Sequence, residues 1–572
     1  MTKKIPLGVD DFSELVSEEY NFLFVDKTLF IKEFIDTGAK VSLIIRPRRW
    51  GKTLNMSMIR YFFAPEVEGC STQGLFDHLC IAKESGGSYL KHQGSRPVIF
   101  ISFKDIKKDS WDSFLEEVSI LMASIYSEHA TTLLNSLHLL DSQKTTFKKI
   151  IDKTASPSEL SNALKFLCVC LKKHYKKKVM ILIDEYDTPL NSAYNNEYFD
   201  RAVDFFKTLL GSALKGNNAM EKGVLTGILR LSKNSMLSDL NNLKLYSLMD
   251  EKYSQFFGFS EDELRMLFSE SEIPLDLPSV QKWYNGYQSG HLTDVYNPWS
   301  ILNCIDDKGA LKDYWIKTGS ETLLNTIFAE SGPSVKEKLS LLISGSSIES
   351  VIDDYISFDQ MKEGGKEEVL WSLLWALGYL KTIGEPTQSG TLNKYHLMIP
   401  NYEVDSSYRN IFIRFIDSLE YSDKYHNCLN YLVKGDINSF VEWLQDFMLS
   451  NASYFDLQKE NSYHMLMLGM SSIVKGTHDI QSNKETGIGR PDLILIPKDK
   501  NNHLGIIIEF KGAETEKNTE HYEKLAEEGL EQINQKHYDL GLKGLPHIQK
   551  ILKLCLVFYG KQFVYKSIMD TI

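Results

Sequence analysis

Short apolar runs separated by polar turns recur along the chain, and their length and flanks divide it into strands and helices. Val41-Ser42-Leu43-Ile44-Ile45 reads as a buried strand, and a helical pattern from Leu54 to Phe63 follows it after a polar loop. Pro97 to Phe103, Val179 to Ile183 and Lys222 to Arg230 are further strand-like runs, with helical stretches between them. This alternation predicts a parallel sheet wound with helices on both faces. Beyond about residue 255 the pattern turns helical, opening with Ser260-Glu261-Asp262-Glu263, a capping box with its hydroxyl at N-cap and Glu263 at N3. Two aromatic turns, Trp283 to Tyr287 and Tyr296 to Ser300, read as packing elements. Near the C-terminus, Gly487 to Ile496 and Leu504 to Lys511 flank the polar stretch Pro497 to Asn502, which predicts a β-hairpin.

That hairpin carries the densest chemistry. A symmetric turn centred between Lys500 and Asn501 sets Asp492 opposite Glu509, with Cβ atoms about 4.5–5.5 Å apart on one face. The period of two returns Lys511 to the same face. Two carboxylates suit Mg²⁺ or Mn²⁺, and a lysine beside them positions or deprotonates water and stabilises developing charge. The plainer reading is an edge hairpin whose acids and lysine are merely solvated. Asp492 followed by Glu509-Phe510-Lys511 resembles the PD-(D/E)XK nuclease superfamily. Upstream, Glu460 to His464 and Ser482 to Glu485 match the branch of it found fused to an AAA-ATPase-like domain. Downstream, Gln532 and Tyr538 fall on a charged helical segment similar to the helix that follows the metal site in that superfamily. The resemblance implies that Asp492 and Glu509 are metal ligands, Glu460 a supporting one, and Lys511 the residue that activates water.

A second site lies between the first strand and its helix. Strand, loop, Gly51-Lys52-Thr53 and helix form the context of a phosphate-binding loop, in which Lys52 reaches the β/γ oxygens of ATP and Thr53 ligates Mg²⁺. Arg46 stands where the usual pattern begins with glycine. Its Cβ forces the turn from positive φ, which predicts a wider loop with the guanidinium brought toward the phosphates. A fortuitous helix start is the competing reading. The stretch Arg46-Pro47-Arg48-Arg49-Trp50-Gly51-Lys52-Thr53 resembles the variant Walker A loop of the AAA-ATPase-like family, implying nucleotide contacts along its length. A matching Walker B strand, Val179 to Ile183, delivers Asp184 for Mg²⁺ and Glu185 to orient the attacking water. Thr226 and Arg230 resemble a γ-phosphate sensor, with Arg230 equally readable as a salt-bridged framework residue.

Composition narrows the picture without changing it. With 43% hydrophobic and 24% charged residues the chain is ordinary globular material. A net charge of −12 argues against a general coat of positive charge for nucleic acid, while leaving room for a local basic channel. The basic run Lys172 to Lys178 reads as the solvated end of a helix. Scattered cysteines, no signal-like N-terminus and no run near 20 apolar residues lead to a cytoplasmic protein with no membrane partner. The predicted fold class is α/β and multidomain. Residues 1–255 form a P-loop domain with a doubly wound parallel sheet, 256–400 a helical lid, 401–436 a helical connector, and 437–572 a restriction-endonuclease-like PD-(D/E)XK domain. The resemblance implies an ATPase coupled to a Mg²⁺-dependent nuclease acting on nucleic acid, DNA first; a homo-oligomer is left open. The alternative from another class is a nucleotide-controlled interaction switch that binds DNA or a protein without cutting.

Overall fold

The computed structural model describes residues 3–194, 196–229, 240–316, 333–343, 345–353, 367–389, 392–417, 422–451, 463, 467, 470–471, 474, 476–482, 489, 491–513 and 518–572. They fall into two compact units, Met1–Trp315 with Ser350–Tyr395, and Ile316–Glu349 with His396–Ile572.

The first unit is built on five parallel strands, β1 (Val41–Ile45), β2 (Val98–Ser102), β3 (Val179–Asp184), β4 (Met220–Gly227) and β5 (Leu243–Tyr246), in the order β2-β3-β4-β1-β5. Every residue of β1 and β3 is buried, as unbroken apolar runs require when a strand is covered on both faces. Helix α1 (Lys52–Phe63) leaves the end of β1 and buries Met56, Ile59, Phe62 and Phe63. The strand order separates β1 from β3 by β4 alone, so Thr226 near the end of β4 stands between the loop and Asp184.

The stretch from 256 to 400, read as a helical lid, carries strands as well as helices. The capping box forms, with Ser260 Oγ accepting from Glu263 N at 3.3 Å and Glu263 Oε2 from Ser260 N at 2.9 Å. Yet Tyr287–Ser289 and Leu292–Val295 pair antiparallel, and Lys381–Ser389 and Leu392–Met398 are strands as well. The reason at the first pair is Gly290, whose φ of +59° makes the reversal. A Cβ there would lie 2.9 Å from the Cα of Glu251.

The second unit holds a mixed sheet of β6 (His478–Ser482), β7 (Leu493–Pro497), β8 (Leu504–Gly512), β9 (Lys550–Tyr559) and β10 (Gln562–Thr571), in that order. Only the β8–β9 pairing within it is parallel, and such a pairing needs a crossover. Helix α2 (Thr519–Gln535) provides it, capped by the Asn518 side chain, which accepts from His521 N. Its Tyr522, Ala526, Leu530 and Ile533 pack with Ile507, Ile551, Cys555 and Val557 of the strands. Gly529 permits the close seating, since a Cβ there would lie 2.3 Å from Cys555 Sγ. Pairs Leu493 with Ile508, Ile494 with Ile507 and Leu495 with Ile506 fix the β7–β8 register, and it is the symmetric one read from the turn.

Candidate nucleotide and metal sites

At the N-terminal site the chain leaves β1 through a loop with two left-handed residues, Arg49 (φ +65°) and Gly51 (φ +78°), before α1 begins at Lys52. Lys52 is buried, and its ammonium donates to the carbonyls of Arg46 at 3.0 Å and Pro47 at 2.7 Å. Burial lowers its pKa, and the nearby Asp184 carboxylate opposes that. Thr53 Oγ1 donates to Asp184 Oδ2 at 2.8 Å, while Thr226 Oγ1 donates to the other oxygen, Oδ1. Burial raises the Asp184 pKa against these two hydroxyls. Lys52, Thr53, Asp184 and Thr226 are thus brought together from three strand ends. Glu185, next in line, adopts φ +51°, a conformation uncommon outside glycine, and its Oε2 accepts from Thr188 Oγ1 at 3.0 Å.

The rest of the loop corrects the sequence reading. Arg46, expected near phosphate, is fully buried with its guanidinium turned under the loop. Its Nη1 donates to the carbonyls of Ile45 at 2.7 Å and Tyr246 at 3.1 Å, and the group lies 5.0 Å from the Phe257 ring centroid. A flat cation on an aromatic face, next to the carbonyl end of β5, explains that direction; burial nevertheless lowers its pKa to about 10. Pro47 and Trp50 are also buried, Trp50 edge-on to Tyr287 at 5.3 Å. Arg48 and Arg49 remain exposed at the rim; Arg49 stacks 4.3 Å from the Trp299 centroid, and Trp315 Nε1 donates to the Arg48 carbonyl at 3.2 Å. The two aromatic turns do pack, as read, and what they pack against is this loop. Arg230 lies outside the described residues.

At the C-terminal site Glu509 sits on β8 with 3% exposure. Its Oε1 accepts from Lys511 Nζ at 3.4 Å and from Gln532 Nε2, and its Oε2 is buried with no hydrogen-bond partner. Asp492, at the start of β7, accepts from Phe510 N at 2.7 Å through Oδ2. Lys511 Nζ also donates to Gln532 Oε1 at 2.8 Å, and Gln532 Nε2 reaches Tyr538 OH at 3.3 Å. Burial first, and the Asp492 charge second, push the Glu509 carboxyl up to about 7, with Lys511 opposing. Asp492, Glu509 and Lys511 therefore converge, and α2 adds Gln532, whose amide touches both Glu509 and Lys511. The sequence places Gln532 and Tyr538 on one helical segment; Gln532 does lie on α2, whereas Tyr538 falls past its end at Gln535. Glu460 lies outside the described residues, and among the described residues no three His, Cys, Asp or Glu side chains cluster. Two neighbouring acids, of which Glu509 has an unpartnered buried oxygen and its proton affinity raised by burial and by Asp492, form a donor set that fits a hard divalent cation.

No helix among the described residues is long and apolar enough to cross a membrane. Residues 6–237 match the family model of predicted AAA-ATPases, and residues 458–568 match that of the PD-(D/E)XK nuclease superfamily. A protein of Azotobacter chroococcum mcd 1, described as "Uncharacterized protein in vnfD 5'region", is 27% identical over 413 residues, which cover 71% of this chain and 69% of that protein.

Proposed function

We propose that this protein, which carries an AAA-ATPase-like domain and a PD-(D/E)XK nuclease superfamily domain in one chain, binds and hydrolyses ATP at the first and cuts nucleic-acid phosphodiesters, DNA first, at the second. The observation that carries the nuclease half is the buried, unpartnered Glu509 Oε2 beside Asp492, with Lys511 held alongside.

At the nucleotide site, phosphate oxygens replace the Arg46 and Pro47 carbonyls as partners of Lys52, a small displacement of an ammonium already at the mouth of α1. Arg48 and Arg49, exposed at the rim, add charge for the outer phosphates. Thr53 and Asp184 would hold Mg²⁺, which when bound neutralises charge building on the β/γ oxygens. Glu185 orients the attacking water, with Thr188 fixing its carboxylate. Thr226 holds Asp184 from the far side, and Arg230 completes the sensor.

At the second site Asp492 and Glu509 would hold Mg²⁺ or Mn²⁺, with Glu460 in support, and the ion when bound polarises the scissile phosphate and lowers the pKa of water. A bound cation would favour the ionised form of Glu509, whose pKa is pushed up by burial first and by the Asp492 charge second. Lys511, steadied by Gln532, positions the attacking water and, as an ammonium, stabilises the charge that develops, or takes the water's proton once it has itself been deprotonated. Incubating the full-length protein with supercoiled plasmid and Mg²⁺ or Mn²⁺, with and without ATP, tests both halves. Cutting that needs the divalent ion, together with phosphate release from ATP, is the expected result. Binding of plasmid without cutting in either metal would assign the protein to the interaction-switch class instead.

A further inference from the structure

The ends of β3 and β4 are joined by more than the Asp184 to Thr226 contact. Asp187, two residues past Glu185, is 1% exposed, and its Oδ2 accepts from the backbone N–H groups of Ile228 at 3.0 Å and Leu229 at 3.1 Å. Tyr186, fully buried, donates its hydroxyl to the Leu229 carbonyl, and its own N–H donates to the Thr226 carbonyl at 3.1 Å. One short segment of the chain therefore grips the tip of β4 from three directions. Gly227 makes room for it: a Cβ there would lie 2.6 Å from Tyr186 Cε1 and 2.8 Å from Asp187 Oδ1. Along the chain, Glu185 in its left-handed conformation joins Asp184 to the gripping residues Tyr186 and Asp187. Such a backbone is strained and persists only where neighbours over-determine it. A buried carboxylate is itself expensive unless hydrogen-bonded, and burial raises the Asp187 pKa against those amides.

We propose that Asp187 is a positioning residue for ATP hydrolysis, holding the segment that leaves β4 against Glu185 so that the water-orienting acid and the Thr226 end of the strand keep one geometry. The inference rests on the ATPase reading above and deepens it. Asp187 acts through the backbone of Ile228 and Leu229, whose N–H groups its carboxylate holds. Its loss leaves those two N–H groups without their acceptor and releases the strain held at Glu185. Misplacement of a catalytic group by about 1 Å costs on the order of a hundredfold in rate.

The test is steady-state ATP hydrolysis and calorimetric MgATP binding on the full-length chain for wild type, Asp187→Ala, Asp187→Asn and Gly227→Ala. Asp187→Asn keeps an acceptor oxygen for the two amides, so its kcat should stay within about threefold of wild type. Asp187→Ala and Gly227→Ala should lower kcat by about a hundredfold while KM and MgATP affinity move by less than about threefold. If Asp187→Ala does not fold, the near-normal kcat expected of Asp187→Asn and the loss expected of Gly227→Ala still decide the matter. The proposal is overturned if Asp187→Asn falls as far as Asp187→Ala, if folded Asp187→Ala turns over like wild type, or if it loses MgATP affinity in step with kcat. Wild type that binds MgATP and shows no turnover overturns the ATPase reading itself, a result distinguishable from all of these.

Discussion

Glu509→Gln isolates the electrostatic cost built into the C-terminal site. The folded chain raises this carboxyl from the ordinary 4.5 to about 7, chiefly through burial and then through Asp492. Between those pH values the unfolded chain has already lost the proton that the folded chain keeps. Raising the pH therefore favours unfolding, and the site costs stability that is absent below about pH 4.5, grows through pH 7, and is constant above. At about 1.4 kcal/mol per pKa unit, that gap amounts to roughly 3 kcal/mol. Glutamine has no proton to lose. In EDTA the Glu509→Gln variant should accordingly match wild type near pH 4 and exceed it by roughly 3 kcal/mol at pH 8. Saturating Mn²⁺ should invert the order, because only wild type has both carboxylates to offer. Hydrogen exchange, corrected for intrinsic base catalysis and followed on peptides from 504–512 and 550–559, reads the stability of this sheet apart from the rest of the chain. Wild-type protection that rises from pH 5 to 8 in EDTA, or that tracks the variant at every pH, would refute the reasoning.

Four further outcomes follow from the same geometry. Lys52→Ala removes the buried ammonium at the mouth of α1 and should abolish MgATP binding by calorimetry; retained micromolar binding would move the nucleotide elsewhere. Glu185→Gln should keep that binding and lose phosphate release by about a hundredfold or more, and wild-type turnover in this variant would remove Glu185 from its role. Arg46→Met exchanges two hydrogen bonds and a ring contact for relief of a buried charge, so melting should shift by the equivalent of less than about 2 kcal/mol and MgATP affinity by less than about threefold. A tenfold loss of affinity would restore the arginine as a phosphate ligand. Gly529→Ala should push α2 from β9 at Cys555 and draw Gln532 from Lys511, lowering DNA cleavage, with Cys555→Ala in the same chain recovering part of it; no recovery would separate the helix seat from the site.

The hairpin was legible because two apolar runs of similar length flank a polar turn, and a pairing symmetric about that turn leaves no freedom in which residue faces Glu509. Strands β1 and β3 were legible for a related reason: an unbroken apolar run ending in a phosphate-loop motif or a pair of acids has one natural place in a parallel sheet. Arg46 was not. Its direction is decided by the Tyr246 carbonyl and the Phe257 ring, both some two hundred residues downstream, and no local pattern announces such a partner. The same holds for the aromatic turns, whose composition predicted packing but not that Tyr287 and Trp299 would pack against Trp50 and Arg49. Asp187 is not legible from the Asp184-Glu185 pair beside it, because the amides of Ile228 and Leu229 that hold it lie some forty residues away. The hairpin of Tyr287–Ser289 and Leu292–Val295 was hidden for a different reason, because Gly290 marks a reversal only once its φ is known.

The claim on which the rest depends is that Asp492 and Glu509 share one divalent ion with Lys511 beside it rather than upon it. Titration of the nucleotide-free full-length chain with Mn²⁺, read by electron paramagnetic resonance for wild type, Asp492→Ala, Glu509→Ala and Lys511→Ala, tests this most directly. The account predicts that wild type and Lys511→Ala bind one ion with similar affinity and that each acid variant loses it; equal affinity in all four chains would contradict it.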